Sequence, residues 1–419
     1  MTRTATLGLG GTIDFELHWN AATLASLAAE LGVVDLTGEV PGAIDSERAL
    51  VVSILEHMRR GTGGEYFVGS SAVIEGFAAR FGYRTTLGGT PVRAALAMST
   101  LGMASTVHLV STNEHVRRLL PADVHAICSA EEDSLDPHLI VQYPGGARVR
   151  VGAGEIVSPG ANRLIYPCDR PNAELRLSSE LPTALRRTDV LLVSGFNSMQ
   201  ERDLLDVRLA ELIDALGNLP PDAVTLYEHA GFHRPEFGRV VLEALAPHVA
   251  MISLNEDELM DALARRINLA DPRDVEAGVR EFAGMVGGRM VVLHTRHFAL
   301  AHARRARDMA AVLETGIAVS AARYAWGDRA TRGDVERLRH TGRRSPVGAL
   351  VAETLGADDE FCVVPACELE DVATPTTIGL GDTFIGGVVA ALVEKGDCGA
   401  SSTAPAPGVP APARTSSHP

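Results

Sequence analysis

The chain has 419 residues, 46% of them hydrophobic and 22% charged, with a formal net charge of −15. That composition describes a globular protein with material for a sizeable core, and the negative balance argues against a binder of nucleic acid or of an anionic membrane. No apolar run approaches the ~18 residues that span a bilayer, and Met1 to Gly11 lacks the apolar stretch of a secretory signal, so a cytoplasmic protein is expected.

In chain order, the first third reads as β-rich. His138–Tyr143 and Ala147–Val151 alternate polar and apolar residues around Pro144-Gly145-Gly146, which predicts a hairpin with one wet face. From about residue 188 the pattern changes to short apolar runs alternating with amphipathic helices. Val190–Val193, Ala223–Tyr227, Val249–Leu254 and Arg289–Leu293 read as buried strands. Leucines and isoleucines from Leu204 to Leu216 recur at helical spacing, a second helix opens near Pro235, and a third lies around residues 273–286. Strands alternating with helices predict a doubly wound, mainly parallel sheet flanked by helices. A discontinuous β-rich lid built from parts of the first ~170 residues completes a body over residues 1–398. Residues 399–419 are Ala, Pro, Ser, Thr and Gly without periodicity, and are expected to be disordered.

Five cysteines are scattered with no Cys-x-x-Cys pair, so neither a disulfide framework nor a structural zinc site is indicated. His229 and His233 are four apart, but no further ligand is nearby to make a zinc site of them.

The strongest local pattern is Thr376-Thr377-Ile378-Gly379-Leu380-Gly381-Asp382-Thr383, running into the apolar stretch Val388–Leu392. A glycine-rich turn feeding a helix directs unpaired amides at one spot, suited to a phosphate or a developing negative charge. The amides of Gly379, Leu380 and Gly381 would form that nest. Asp382 at its mouth is placed either to take a proton from an attacking hydroxyl or to act as a plain N-cap.

Gly-x-Gly-Asp leading into a helix of small residues resembles ribokinase-like sugar kinases. The longer match through Thr383 is similar to their ADP-dependent glucokinase and phosphofructokinase branch, and the resemblance recurs in order from Gly10 to about Lys395. It implies a kinase that moves a phosphoryl group from ADP to a hydroxyl of a sugar or sugar phosphate, of the glucose or fructose 6-phosphate class, giving AMP. It also implies Mg²⁺, and Asp382 as base. Ser253-Leu254-Asn255-Glu256-Asp257-Glu258 resembles the family's Asn-x-x-Glu motif, which implies roles for Asn255 and Glu258 near metal and phosphates. Tyr227-Glu228-His229 resembles its His-x-Glu motif, with Glu228 in the glutamate position but Leu226 where the histidine belongs. Asn162-Arg163-Leu164-Ile165 resembles a segment whose arginine meets nucleotide phosphates. Leu293-His294-Thr295 resembles a His-Thr segment near the nucleotide. Leu9 to Glu16 looks like the family's first strand, whose terminal aspartate, here Asp14, grips sugar hydroxyls. Gly88-Gly89-Thr90 resembles the sugar loop, with Thr90 in place of an amide side chain. Gly63-Gly64-Glu65 and Ser194-Gly195-Phe196-Asn197 also match segments lining the cleft. Two other readings stay open: an ATP-dependent sugar or nucleoside kinase of this fold, and a relative that binds sugar or nucleotide with weakened turnover.

Overall fold

The computed structural model describes residues 3–369, 372 and 375–395, so the expected disorder of 399–419 lies outside the described residues. Nine strands form one sheet in the order Phe361–Pro365, Phe298–His302, Met290–His294, Met251–Asn255, Val224–Glu228, Val190–Val193, Ala5–Leu7, Ser105–Leu109 and Val124–Cys128. All pairings are parallel except the two made by Phe298–His302. The centre of this sheet is continuously apolar because helices cover both faces. On one face Leu192, Leu226 and Val292 join a core with Phe384, Val388 and Val389. On the other, Leu191, Tyr227 and Leu293 join Leu205, Leu209, Phe237, Val241 and Phe282. The doubly wound α/β prediction therefore holds, with the antiparallel edge as its mixed component.

Chain order reverses around Ala5–Leu7, whose neighbours are Ser105–Leu109 on one side and Val190–Val193 on the other. A crevice opens beyond the carboxyl ends of strands at such a switch point, which is where open α/β sheets take ligands.

A second sheet comes from the first 170 residues, in the order Gly64–Glu65, Asn162–Pro167, Pro137–Tyr143, Thr12–Leu17 and Tyr83–Gly88. Its alternation does the sorting. Phe15, Leu17, Leu139, Val141, Leu164 and Tyr166 pack with the helices Ala21–Glu30, Glu47–Arg60 and Ser71–Ala79. The opposite face carries Asp14, His138 and Arg163, which line a cavity against the main sheet.

Two sequence expectations change here. Pro137–Tyr143 does not form a hairpin with the strand that follows; it pairs antiparallel with Asn162–Pro167 and parallel with Thr12–Leu17. Arg148–Val151 instead forms a local ribbon with Gly154–Val157. Alternation fixes which residues share a face but not which strand is the neighbour. The segment Leu9–Glu16 is likewise not the end of the first main-sheet strand. That strand is Ala5–Leu7, and Asp14 sits within a strand of the second sheet.

The helix Leu380–Lys395 lies between Thr90–Thr100 and Ala310–Trp326 and is buried from Thr383 through Val393. Glycines permit the approach: a Cβ on Gly386 would lie 2.7 Å from the Ala94 Cα, and one on Gly387 2.8 Å from the Gly316 Cα. Alanine at 387 would gain up to ~1 kcal/mol of helix propensity. The clash is with backbone, which cannot swing away, and such overpacking costs about 1–3 kcal/mol. Gly387→Ala is therefore expected to lower the urea midpoint; a raised midpoint would show that the helices separate freely.

Candidate active site

The turn Ile378–Gly379 ends in the helix Leu380–Lys395, with Gly379 at φ +65°, a left-handed conformation that favours glycine. The first amides of a helix have no intrahelical acceptor, so this end is a ready anion site. Thr383 secures the turn from inside the helix, its Oγ1 donating to the Gly379 carbonyl at 2.7 Å. Ser320 Oγ donates to the Leu380 carbonyl at 3.0 Å, and Arg323 Nε donates to the Ile378 carbonyl at 2.9 Å.

Two cavities meet at this turn. One, of about 410 Å³, lies at the switch point and is lined by Asp14, Gly89, Thr90, Arg163, Gly379 and Asp382 among others. Its neighbour, of about 530 Å³, is lined by Asn255, His294, Tyr324, Leu380, Gly381 and Phe384 among others. Four consecutive residues thus divide between them: Gly379 and Asp382 toward the first, Leu380 and Gly381 toward the second.

In the first cavity, Thr90 Oγ1 donates to Asp382 Oδ1 at 2.7 Å. Thr90 opens the helix Thr90–Thr100 behind Gly89, at φ +82°, and Gly88 closes the strand paired with Thr12. Asp14 accepts from Thr12 Oγ1 at 2.7 Å and from Arg93 Nη2 at 2.9 Å. Opposite, His138 Nε2 donates to Asp169 Oδ2 at 3.0 Å. Burial alone would lower the His138 imidazole, but Asp169, with Asp14 and Glu65 beyond it, raises it to about 9, so it is a cation at neutral pH. Arg163 Nη1 donates to the Thr377 carbonyl at 3.3 Å. Burial lowers its guanidinium, against an opposing pull from Asp382.

Between the cavities lies an acidic cluster. His294 Nε2 donates to Glu228 Oε1 at 2.9 Å, and the other oxygen of Glu228 is buried without a partner. Glu258 is held by Asn255, whose backbone and side-chain nitrogens donate at 2.8 and 2.7 Å in a reciprocal cap. Burial and the Glu228 carboxylate raise Glu258 to about 8. Burial lowers His294, and Glu228 outweighs it, leaving the imidazole above its usual value.

The family model for the ADP-specific phosphofructokinase/glucokinase conserved region matches residues 4–387. The chain belongs to this family. It is therefore an ADP-dependent sugar kinase, a phosphotransferase with an alcohol group as acceptor. A phosphofructokinase from Pyrococcus horikoshii OT3, solved with AMP, superposes with a TM-score of 0.77 at 16% identity over 94% of this chain and 98% of that one. An ADP-dependent kinase in complex with fructose 6-phosphate and ADPβS gives 0.70 at 17% over 93% and 94%. Adenosine kinase from Sinorhizobium meliloti gives 0.51 at 13% over 94% and 88%, the same fold at greater distance. No curated protein matches the chain by sequence.

Against this family, most of the residues singled out from sequence gather at the two cavities. Arg163 lies on the Asp14 side of the turn, across from the cavity holding Asn255 and His294, because its strand belongs to the second sheet. Leu226, standing for the family histidine, is fully buried in the core. His229 and His233 do not converge: the former bonds the Tyr227 hydroxyl at 3.1 Å and the latter sits 3.3 Å from Glu65. Among the described residues no group of three or more His, Cys, Asp or Glu could hold a metal directly. No described helix is long and apolar enough to cross a membrane.

Sequence reading missed Arg93 and Arg323. Each is a lone charge in a small apolar helical run, Val92-Arg93-Ala94-Ala95 and Ala321-Ala322-Arg323, and that misfit was the available signal. It also treated Thr90 only as a missing amide, whereas the hydroxyl orients Asp382. Thr90→Val should lower kcat roughly 10-fold with little change in acceptor KM, the worth of one hydrogen bond to a charged group. Steady-state kinetics on both substrates checks this, and an unchanged kcat would remove Thr90 from the site.

Proposed function

We propose that the chain transfers the terminal phosphoryl group of ADP to a hydroxyl of a sugar or sugar phosphate, of the glucose or fructose 6-phosphate class, with Asp382 as general base. The observation that carries this reading is the division of the turn. The residue able to take a proton faces the cavity with Asp14, while Leu380 and Gly381 face the other. The acceptor belongs in the first cavity, where Asp14 meets its hydroxyls beside Gly88, Gly89 and Thr90. The nucleotide belongs in the second, against Asn255 and His294. Asp382 removes the acceptor proton as its oxygen attacks the β-phosphorus, the bond to the bridging oxygen breaks, and AMP leaves with that electron pair. Amides of Gly379, Leu380 and Gly381 receive the charge on the moving group. Arg163, at the Thr377 carbonyl, supplies a fixed cation beside it. The second sheet serves as the lid, keeping water from a donor that would otherwise hydrolyse.

Glu228 and Glu258 fit an outer-sphere role for Mg²⁺. One has a buried oxygen without a partner, and the two carboxylates repel each other, which a divalent cation between them and the phosphates would offset. When bound, Mg²⁺ neutralises phosphate charge. The histidine absent at 226 is replaced in effect by His294, which reaches Glu228 from two strands away, across Met251–Asn255.

Initial rates with ADP and with ATP, over a panel of sugars and sugar phosphates at saturating Mg²⁺, test the assignment. Turnover with ADP and release of AMP are expected, and Asp382→Asn should cut the rate roughly 10²-fold or more while nucleotide binding persists. Activity with ATP alone would sink the donor assignment, and near-normal turnover of the variant would remove Asp382 as the base. Glu258→Gln should raise the Mg²⁺ concentration giving half-maximal rate; an identical titration would return Glu258 to its capping role.

A further inference from the structure

We infer that Arg93 is a positioning residue that ties Asp14, the carboxylate that receives the acceptor, to the catalytic turn, an inference that rests on the sugar-kinase reading of the first cavity. Arg93 stands in the first turn of the helix Thr90–Thr100, three residues beyond Thr90, and is 2% exposed. Its Nη2 holds Asp14 Oδ2 at 2.9 Å. The rest of the side chain lies under the turn: a Cβ on Gly379 would fall 2.2 Å from its Cδ, 2.7 Å from Nε and 3.2 Å from Cζ. One guanidinium therefore sets both the carboxylate that receives the acceptor and the backbone that receives the phosphoryl group.

Burial of this group is costly in a way that packing alone does not explain. Nη1 is buried with no partner, and the guanidinium lies close enough to Arg163 and Arg323 to add to the lowering that burial imposes on both. A buried charge pair is often matched in stability by apolar residues of similar volume. Geometry supplies the reason to keep the charge. The planar fork reaches Asp14 while its stem fills the space that Gly379 leaves open, and lysine, a point charge on a flexible chain, would do the first without the second. Small errors in the register of acceptor oxygen and phosphorus carry large rate penalties, so a part common to both sides is where register can be set.

The test uses Arg93→Met, Arg93→Lys and the double variant Asp14→Asn/Arg93→Met, which removes both charges and guards against a fold lost to an unpaired aspartate. Kinetics are measured with ADP and with glucose or fructose 6-phosphate, whichever the unsubstituted chain phosphorylates. Hydrogen exchange is followed at the amides of Gly379–Gly381 without ligands. For Arg93→Met we expect kcat down and acceptor KM up by roughly 10- to 100-fold each, with ADP KM within about twofold. Amide exchange at the turn should be faster, Arg93→Lys should not restore kcat, and the double variant should regain melting temperature without regaining slow exchange. Unchanged kinetics and exchange in a folded variant would overturn the inference. So would recovery of slow exchange in the double variant, since Arg93 would then only balance the charge of Asp14. If the unsubstituted chain phosphorylates neither acceptor, the functional reading fails by itself, and the exchange arm still decides whether Arg93 holds the turn.

Discussion

The helix Leu380–Lys395 can begin where it does only because it is clamped between two others at backbone distance, with Gly386 against Ala94 and Gly387 against Gly316. The turn and the groups that brace it hang on that contact. Its N-terminus fixes the amide nest, Asp382 occupies its first turn, and the neighbouring helices deliver Thr90 and Arg93 from one side and Ser320 and Arg323 from the other. Close packing of this kind leaves little slack, so the turn is held by the core rather than by the loop's own preferences. A glycine-rich turn left to itself would sample many conformations, and the ordering is met in advance by burial.

Electrostatics around the turn are dense and nearly balanced. Arg93 pairs with Asp14, Arg323 with Asp328 at 2.7 Å, and Thr90 hydrogen-bonds Asp382. Arg93 and Asp14 are both buried, so removal of either would leave the other stranded at a cost of several kcal/mol, whereas Asp328 is part-exposed. Such an arrangement makes sense where charge must appear and vanish during turnover: dipoles and ions already in place need not reorganise when the phosphoryl group moves. Glu228 and Glu258 stand apart from this balance, two carboxylates close enough to repel each other, with one imidazole bonded to Glu228.

What the sequence could reveal follows the reach of each signal. Periodicity marked the strands Val190–Val193 and Met290–His294 to within a residue, because strands buried on both faces are written as unbroken apolar runs. It could not say that Pro137–Tyr143 skips its neighbour to pair with Asn162–Pro167, since partner choice depends on contacts far along the chain. Motifs pointed to Asp382, Asn255, Glu258, Glu228 and His294, each within a few residues of a strand end or helix start. Which cavity Arg163 faces was not legible, because that depends on how the second sheet lies across the first. Arg93 and Arg323 were visible as misfits in apolar helices, but nothing local tells a stranded charge from a partnered one.

Two of the ties between the sheets converge near the turn. Arg163, from the second sheet, reaches the Thr377 carbonyl, and Arg84 bridges Glu16 at 2.8 Å to Asp328 at 3.5 Å. Asp328 in turn holds Arg323, which holds the Ile378 carbonyl. Adjacent carbonyls of the catalytic turn are thus bonded, one directly and one through a relay, to groups that report where the second sheet lies. Screening does little to the inner part of this relay, because Arg323 is buried, whereas Arg84 is half-exposed and contributes modestly by itself. The relay's value is then geometric. A second sheet displaced from the turn would lose the bond to Thr377 and slacken Asp328 together, so the contacts that seat the second sheet over Asp14 also brace the carbonyls beside the amide nest.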